Sequence, residues 1–215
     1  MSSSLIPADL PRLLAERYES AIATGSAFFY PSEVHCVEDR LEGSNSTLQW
    51  SIRRCEALRQ KVKEKERKGD RRSPPGAKSS SEPALGGQNP CDVFAAPYDP
   101  QLLVAELGDH TLLLNKFALI PQHFLLVTRE FRSQALPPAP STLALSYRIL
   151  TSLPSSTPDQ RLCFFNCGPE SGASQPHCHM QFVDLSEGGG VLVERLLDSI
   201  VRDGKETGES KARQS

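Results

Sequence analysis

Two histidines and a glutamine alternate along one short segment, and their spacing suits phosphoryl chemistry. If residues 177–184 form a strand, its period of two places His177, His179 and Gln181 on one face. The other face would pack into the core, and it carries Cys178, Met180 and Phe182. A neutral imidazole is a good nucleophile towards phosphorus, and a reference pKa of about 6.5 leaves it mostly unprotonated at pH 7. One histidine could therefore attack, while a backbone carbonyl or the second histidine fixes its tautomer.

A polar, glycine-containing loop, GPESGASQP, precedes the two histidines. Its Ser171, Gly172 and Ser174 could present hydroxyl and backbone N–H groups to the charged oxygens of a phosphate. A His-x-His pair also fits a metal site that needs a third ligand, or two surface histidines without a role. The loop beside the pair favours catalysis over both alternatives, because it places a phosphate cradle next to the nucleophile.

The overall composition identifies no partner. The 215 residues include 24 Lys and Arg against 26 Asp and Glu, a net charge of −2, so we expect no nucleic-acid or membrane partner and a local arrangement for any phosphate ligand. Six cysteines without an export signal or regular spacing favour reduced thiols. We expect a cytoplasmic protein, with the nucleus as an additional location.

The pattern of apolar residues predicts an α+β fold, an antiparallel sheet with flanking helices. The predicted helices span residues 9–23, with Asp9 as cap, 141–153 and 191–201. A strand over residues 46–53 is expected to start the sheet. Strands over 102–107, 111–117 and 123–128 form an antiparallel meander, and two more follow at 161–167 and 177–184.

Composition also divides the chain. Residues 1–60 are predicted to give the N-terminal helix and the first strand of the catalytic domain, and residues 90–202 its core. Between them, residues 61–89 are predicted to be a disordered basic loop rich in Ser, Pro and Gly. Residues 203–215 are predicted to be a disordered tail.

Three separated blocks carry a resemblance to a known family. The string SGASQPHCHMQF, preceded by FFNCGPE and by LLLNKFALIPQHFLLVTREF, resembles the diadenosine tetraphosphate phosphorylases (ATP adenylyltransferases) of fungi and bacteria. That family is a branch of the histidine-triad superfamily whose motif reads His-x-His-x-Gln, so Gln181 is similar to the transferase form rather than to the hydrolase form. The resemblance implies a histidine-triad-like sheet.

The resemblance also implies a role for each matching residue. His179 would form an adenylyl-histidine intermediate, His177 would orient it, and Gln181 would hydrogen-bond the phosphate. Asn115 and Lys116 match a strand that lines the nucleotide pocket, and Lys61 matches an N-terminal nucleotide-contacting segment more loosely. The residues that match the phosphate-facing loop are Asn166, Gly168, Ser171, Gly172, Ala173 and Ser174.

The implied reaction is cleavage of diadenosine tetraphosphate by inorganic phosphate to give ADP and ATP. Two alternatives stay open: a hydrolase that uses water as acceptor, and a truncated relative that binds nucleotide without catalysis. The resemblance leads us to expect that the chain lacks the family's C-terminal domain. The sequence requires no cofactor, and a divalent ion such as Mg²⁺ would be compatible with the polyphosphate ligand.

Overall fold

A computed structural model describes residues 5–40, 47–56, 92–153 and 161–185, together with positions 197 and 201. The predicted loop at 61–89, the tail at 203–215 and almost all of the predicted helix at 191–201 lie outside the described residues. In chain order the elements are α1 (Leu10–Ala23), β1 (Phe28–Phe29), β2 (Glu33–Arg40), β3 (Thr47–Arg54), β4 (Leu103–Leu107), β5 (His110–Leu114), β6 (Phe117–Ala118), β7 (Phe124–Thr128), α2 (Pro140–Ser152), β8 (Arg161–Phe164) and β9 (His179–Asp184).

A five-stranded antiparallel sheet forms the centre of the fold. Its strand order is β4-β5-β7-β9-β8, and every neighbouring pair is antiparallel. The predicted meander and the two predicted helices 9–23 and 141–153 are confirmed. The α+β fold with an antiparallel sheet is therefore confirmed as well.

The two faces of this sheet carry different side chains, because side chains alternate along each strand. Leu126 of β7 and Met180 and Phe182 of β9 pack into the main core, which α1 and α2 also join. Leu125 and Val127 of β7 point to the opposite face and form a second, smaller cluster. The helices thus cover one face, and β9 presents its histidine to the other.

The predicted strand over residues 111–117 divides at Asn115. The side-chain Oδ1 of Asn115 accepts the backbone N–H of Phe117 at 3.1 Å, a local turn that Asn commonly makes. Residues 117–118 then leave the sheet as β6 and pair in parallel with β1. The strand at 161–167 is likewise shorter than predicted and ends at Phe164.

The prediction that residues 46–53 start the main sheet is wrong. They form β3, which among the described strands pairs with β2 alone, in a separate two-stranded sheet. Strand β2 was not predicted, because its sequence EVHCVEDR is mostly polar. A partner a few residues upstream is easier to reach than the distant sheet, since closing a short loop costs less entropy.

Helix α1 begins and ends close to the predicted positions, although Asp9 does not cap it. The carboxylate of Asp9 accepts no hydrogen bond from a backbone N–H of the first turn; it forms an ion pair with the side chain of Arg12 instead. Gly25, just beyond the helix, has a φ of 73°, which suits glycine at a helix exit. Across the described part of the chain, no helix combines the length and apolar character that a membrane span requires.

Candidate active site

The ring of His179 has one nitrogen fixed and one nitrogen available. Its Nδ1 lies 2.7 Å from the backbone carbonyl oxygen of His177. A carbonyl can only accept, so Nδ1 carries the proton and donates it, and Nε2 keeps its lone pair. Burial lowers the pKa of His179, and the neighbouring His177 lowers it further, while the hydrogen bond to the carbonyl opposes both. The ring is therefore held as a neutral nucleophile in a defined tautomer.

Behind this ring, His177 forms a buried pair with Asp92. The side chains of His177 and Asp92 are 1% and 5% exposed, and His177 Nδ1 lies 2.8 Å from Asp92 Oδ2. The other nitrogen, Nε2, lies 2.7 Å from the carbonyl oxygen of Thr128 and 3.0 Å from its hydroxyl. That hydroxyl donates its own proton to the carbonyl of Glu130. The carboxylate of Asp92 and the carbonyl and hydroxyl oxygens of Thr128 thus hold the ring of His177 from its two nitrogens.

A cavity of about 250 Å³ opens in front of His179. Its apolar lining includes Phe94, Tyr98 and Leu113. The polar wall is formed by Asp99, Asn115, Lys116, Ser174, Gln175, His179 and Gln181. The ring of Phe94 lies 5.0 Å from that of His179, centroid to centroid. The cavity therefore offers a ligand apolar contacts together with hydrogen-bonding and charged groups.

The polar wall is organised around a buried histidine, His123. Its Nδ1 accepts a hydrogen bond from Nδ2 of Asn115 at 3.1 Å, and its side chain also hydrogen-bonds Gln181. Burial lowers the pKa of His123 to about 4; the hydrogen bond with Gln181 opposes this, and His179 adds to the lowering. His123 therefore stays neutral at pH 7 and fixes the side chains of Asn115 and Gln181.

The loop before β9 is braced by Gln134, which is 1% exposed. Its Oε1 accepts the backbone N–H of His179 at 2.8 Å, and its Nε2 donates to the carbonyls of Asn166 at 2.9 Å and His179 at 3.3 Å. Gly168 joins this bracing through its own N–H, which donates to the Gln134 carbonyl at 3.1 Å. One glutamine thus ties the loop to the start of β9.

Three backbone N–H groups of the loop already have hydrogen-bond partners within the loop. The N–H groups of Ser171 and Ala173 donate to the carbonyl of Gly168, and that of Gly172 donates to Pro169. Gly168 and Gly172 have φ values of 78° and 86°, so they allow the tight turn in which these bonds form. The loop therefore presents serine hydroxyls more readily than these three amides.

The structure brings together part of the predicted site. Asn115, Lys116, Ser174, His179 and Gln181 share the cavity. His177 lies behind it, paired with Asp92. The remaining predicted loop residues do not line the cavity, and they are Asn166, Gly168, Ser171, Gly172 and Ala173. Lys61 lies outside the described residues.

The sequence analysis missed several residues of the site, and those closest to the histidines and to the loop before β9 are Asp92, Phe94, His123 and Gln134. A lone carboxylate after a polar loop, a single Phe and a single Gln carry no spacing signal in the sequence. His123 had one, since it directly precedes the apolar strand FLLVT, but a single histidine there reads as an ordinary strand end.

Among the residues that the structure describes, no group of three or more His, Cys, Asp or Glu side chains is placed to hold a metal ion.

Similarity to known proteins agrees with this geometry. Residues 2–199 match the family described as "Ap4A phosphorylase N-terminal domain". Diadenosine tetraphosphate phosphorylase 2 of Saccharomyces cerevisiae is 44% identical over 105 residues, which are 45% of this chain and 32% of that protein. Protein APA1 of the same yeast is 29% identical over 197 residues, 89% of this chain and 54% of that protein.

A solved structure, that of yeast Ap4A phosphorylase Apa2, has a similar fold. It superposes with a TM-score of 0.63 at 29% identity and covers 85% of this chain and 49% of the Apa2 chain. Apa2 has also been solved in complex with Ap4A, and that structure matches with a TM-score of 0.63, 29% identity, 83% of this chain and 52% of that one. The chain spans at most about half the length of these relatives. By the match over residues 2–199, it belongs to the Ap4A phosphorylase family, whose N-terminal domain it resembles along nearly its whole length.

Proposed function

We propose that this chain is a nucleotidyltransferase that cleaves diadenosine tetraphosphate with inorganic phosphate to give ADP and ATP. The observation that carries the proposal is the fixed tautomer of His179, with Nδ1–H donated to the His177 carbonyl at 2.7 Å and the Nε2 lone pair left for attack. The family membership supplies the substrate class.

The first step is an in-line displacement at phosphorus. Nε2 of His179 attacks the α-phosphorus of one adenosine, a P–N bond forms, and the P–O bond to the β-phosphate breaks. ATP leaves with the bonding electron pair, and the imidazole becomes a cationic adenylyl-histidine. The His177 carbonyl stabilises this cation, since its oxygen continues to accept the Nδ1–H.

The second step reverses the first with a different acceptor. An oxygen of inorganic phosphate attacks the same phosphorus, a new P–O bond forms, and the P–N bond breaks. The electron pair returns to Nε2, ADP leaves, and His179 is again neutral. The lowered pKa of His179 favours this cycle, because the free ring seldom holds a proton on Nε2 at pH 7.

The cavity walls suggest how the substrate lies. The adenine base would pack against Tyr98 and Leu113, two lining side chains that also contact the same apolar cluster, because burying an aromatic ring against apolar groups is favourable. The amide of Gln181, held by His123, would hydrogen-bond an oxygen of the α-phosphate. The ammonium of Lys116 would stabilise the negative charge of the departing polyphosphate.

Product analysis distinguishes this proposal from its alternatives. Purified chain is incubated with diadenosine tetraphosphate with and without inorganic phosphate, and the nucleotides are separated. We expect ADP plus ATP, only when phosphate is present. AMP plus ATP would identify a hydrolase, and binding without any product would identify a non-catalytic relative. His35→Gln, a matched change on the exposed β2 strand, should leave the products unchanged, whereas His179→Gln should abolish them.

A further inference from the structure

Three aromatic side chains form an exposed cluster beside the cavity. The rings of Phe28 and Phe117 are stacked, with centroids 6.0 Å apart and planes 13° apart. Tyr30 lies 6.3 Å from Phe117 at a tilt of 38°. Phe28 and Phe117 remain 43% and 46% exposed. We call Phe28, Tyr30 and Phe117 the aromatic platform; exposed apolar groups clustered in this way commonly mark a binding surface.

Backbone pairing holds the platform in place. The N–H of Phe28 donates to the Lys116 carbonyl at 2.8 Å, and that of Tyr30 donates to the Ala118 carbonyl at 2.9 Å. Because side chains alternate along an extended chain, Phe28 and Tyr30 share a side with Phe117, and Phe29 points to the other. Phe29, 42% exposed, is therefore a natural control for the platform.

The platform is continuous with the cavity of His179. Phe117 belongs both to the platform and to the cavity wall, directly after Asn115 and Lys116. Phe117 is two residues from Asn115, so at most about 7 Å of extended chain separates the two, and a polyphosphate chain is long enough to cross that distance. The cavity, at about 250 Å³, is smaller than the roughly 300–1,000 Å³ that enclose a drug-sized ligand. It has room for one nucleotide, so the rest of a dinucleotide must lie outside it.

We propose that the aromatic platform binds the purine base of the second, leaving nucleoside of a dinucleoside polyphosphate. This inference rests on the proposed function and adds a second base subsite to it. The base would stack on the exposed side of the platform, while the phosphates pass Lys116. Stacking accepts any aromatic base, so this subsite would select for the presence of a second base rather than for its identity.

Two ligands that differ only by the second adenosine test the proposal. Diadenosine tetraphosphate and adenosine 5′-tetraphosphate are titrated by calorimetry into His179→Gln protein, which cannot consume them. Adding Phe28→Ala should weaken binding of the dinucleotide by about fivefold or more, the lower range for loss of one stacked base. Binding of adenosine tetraphosphate should change less than about twofold, because Phe28 does not line the cavity.

Two further variants complete the design. Phe28→Tyr keeps an aromatic face and should retain dinucleotide affinity, and Phe29→Ala should leave both ligands unaffected. An equal loss for both ligands on Phe28→Ala would overturn the platform, as would no loss, or the same selective loss on Phe29→Ala. Protein that binds neither ligand would overturn the proposed function together with the platform, whereas binding of both with an unchanged ratio overturns the platform alone.

Discussion

Replacing Asp92 tests whether the buried His177–Asp92 pair positions the nucleophile. The carboxylate is 5% exposed and lies 2.8 Å from a His177 ring that is 1% exposed. Its second oxygen accepts the N–H of Phe94 at 3.0 Å, so the same residue also anchors the segment that covers His179. Asp92→Ala removes both interactions, and Asp92→Asn keeps an acceptor but removes the charge.

The expected loss of stability follows from this burial. Removing one partner of a buried ion pair typically costs about 3–5 kcal/mol. Asp92→Ala leaves Nδ1 of His177 without its partner, while Nε2 keeps its contact with Thr128, so we expect the lower end, about 3 kcal/mol. For Asp92→Asn we expect about 1–2 kcal/mol, since the amide oxygen still accepts from the ring.

We expect Asp92→Ala to lower the activity of the molecules that remain folded, in addition to lowering the stability. The His177 carbonyl holds His179 Nδ1, so a shift of His177 misdirects the attacking Nε2. A misplacement of about 1 Å can reduce a rate on the order of 100-fold, and we expect kcat of Asp92→Ala to fall by at least about tenfold. Urea unfolding gives the free energies, and phosphorolysis at saturating substrate gives kcat. Asp109→Ala, on the exposed β4–β5 turn, is the matched control. Wild-type stability together with wild-type kcat in Asp92→Ala would refute this account of the pair.

Three other outcomes follow from the same geometry. His123 has a folded pKa of about 4 against an ordinary value of 6.5, so between these values the unfolded state binds a proton that the native state excludes. The free energy of unfolding is therefore highest above pH 6.5 and declines as the pH falls towards 4. Between pH 6.5 and 5, wild type should lose about 2 kcal/mol more unfolding free energy than His123→Gln, and parallel losses in urea titrations would contradict the buried neutral histidine. Because the pKa of His179 is lowered, the acid limb of kcat/KM for phosphorolysis should lie below pH 6.5, and a limb above that value would argue against a desolvated nucleophile. Gln134→Ala leaves the N–H of His179 and two carbonyls without their partner, and it should lower the free energy of unfolding by about 2–4 kcal/mol. The same urea assay on Gln175→Ala, an exchange at a half-buried position of the cavity wall, should show a smaller loss.

The local patterns in the sequence predicted much of this fold because they report on one strand or helix at a time. The alternation at residues 177–184 correctly placed Met180 and Phe182 in the core and His179 and Gln181 on the cavity side. Helix α1 was predicted from its apolar spacing and its Gly25 exit. Such features depend on residues that are close in sequence, so one amino-acid sequence is enough to predict them.

The features that were missed depend on contacts between distant residues. Asp92 reaches His177 across 85 positions, and Gln134 reaches His179 across 45; neither has a neighbour in sequence that signals its role. The same limit explains β3, whose alternating pattern predicted a strand but could not show that its partner is β2 rather than the main sheet. It also explains the loop before β9, where internal hydrogen bonds of Gly168 and Pro169 compete for amides that the sequence suggested for phosphate.

The most direct test of the central claim is detection of the covalent intermediate on His179. Wild-type protein is incubated with diadenosine tetraphosphate without phosphate, kept at alkaline pH because the P–N bond is acid-labile, and examined by intact and peptide mass spectrometry. We predict one added adenylyl group, located on His179, that disappears as ADP forms when inorganic phosphate is supplied. His179→Gln should acquire none, while His35→Gln should acquire it as wild type does. An adenylyl group on another residue, or one that persists in His179→Gln, would contradict the account.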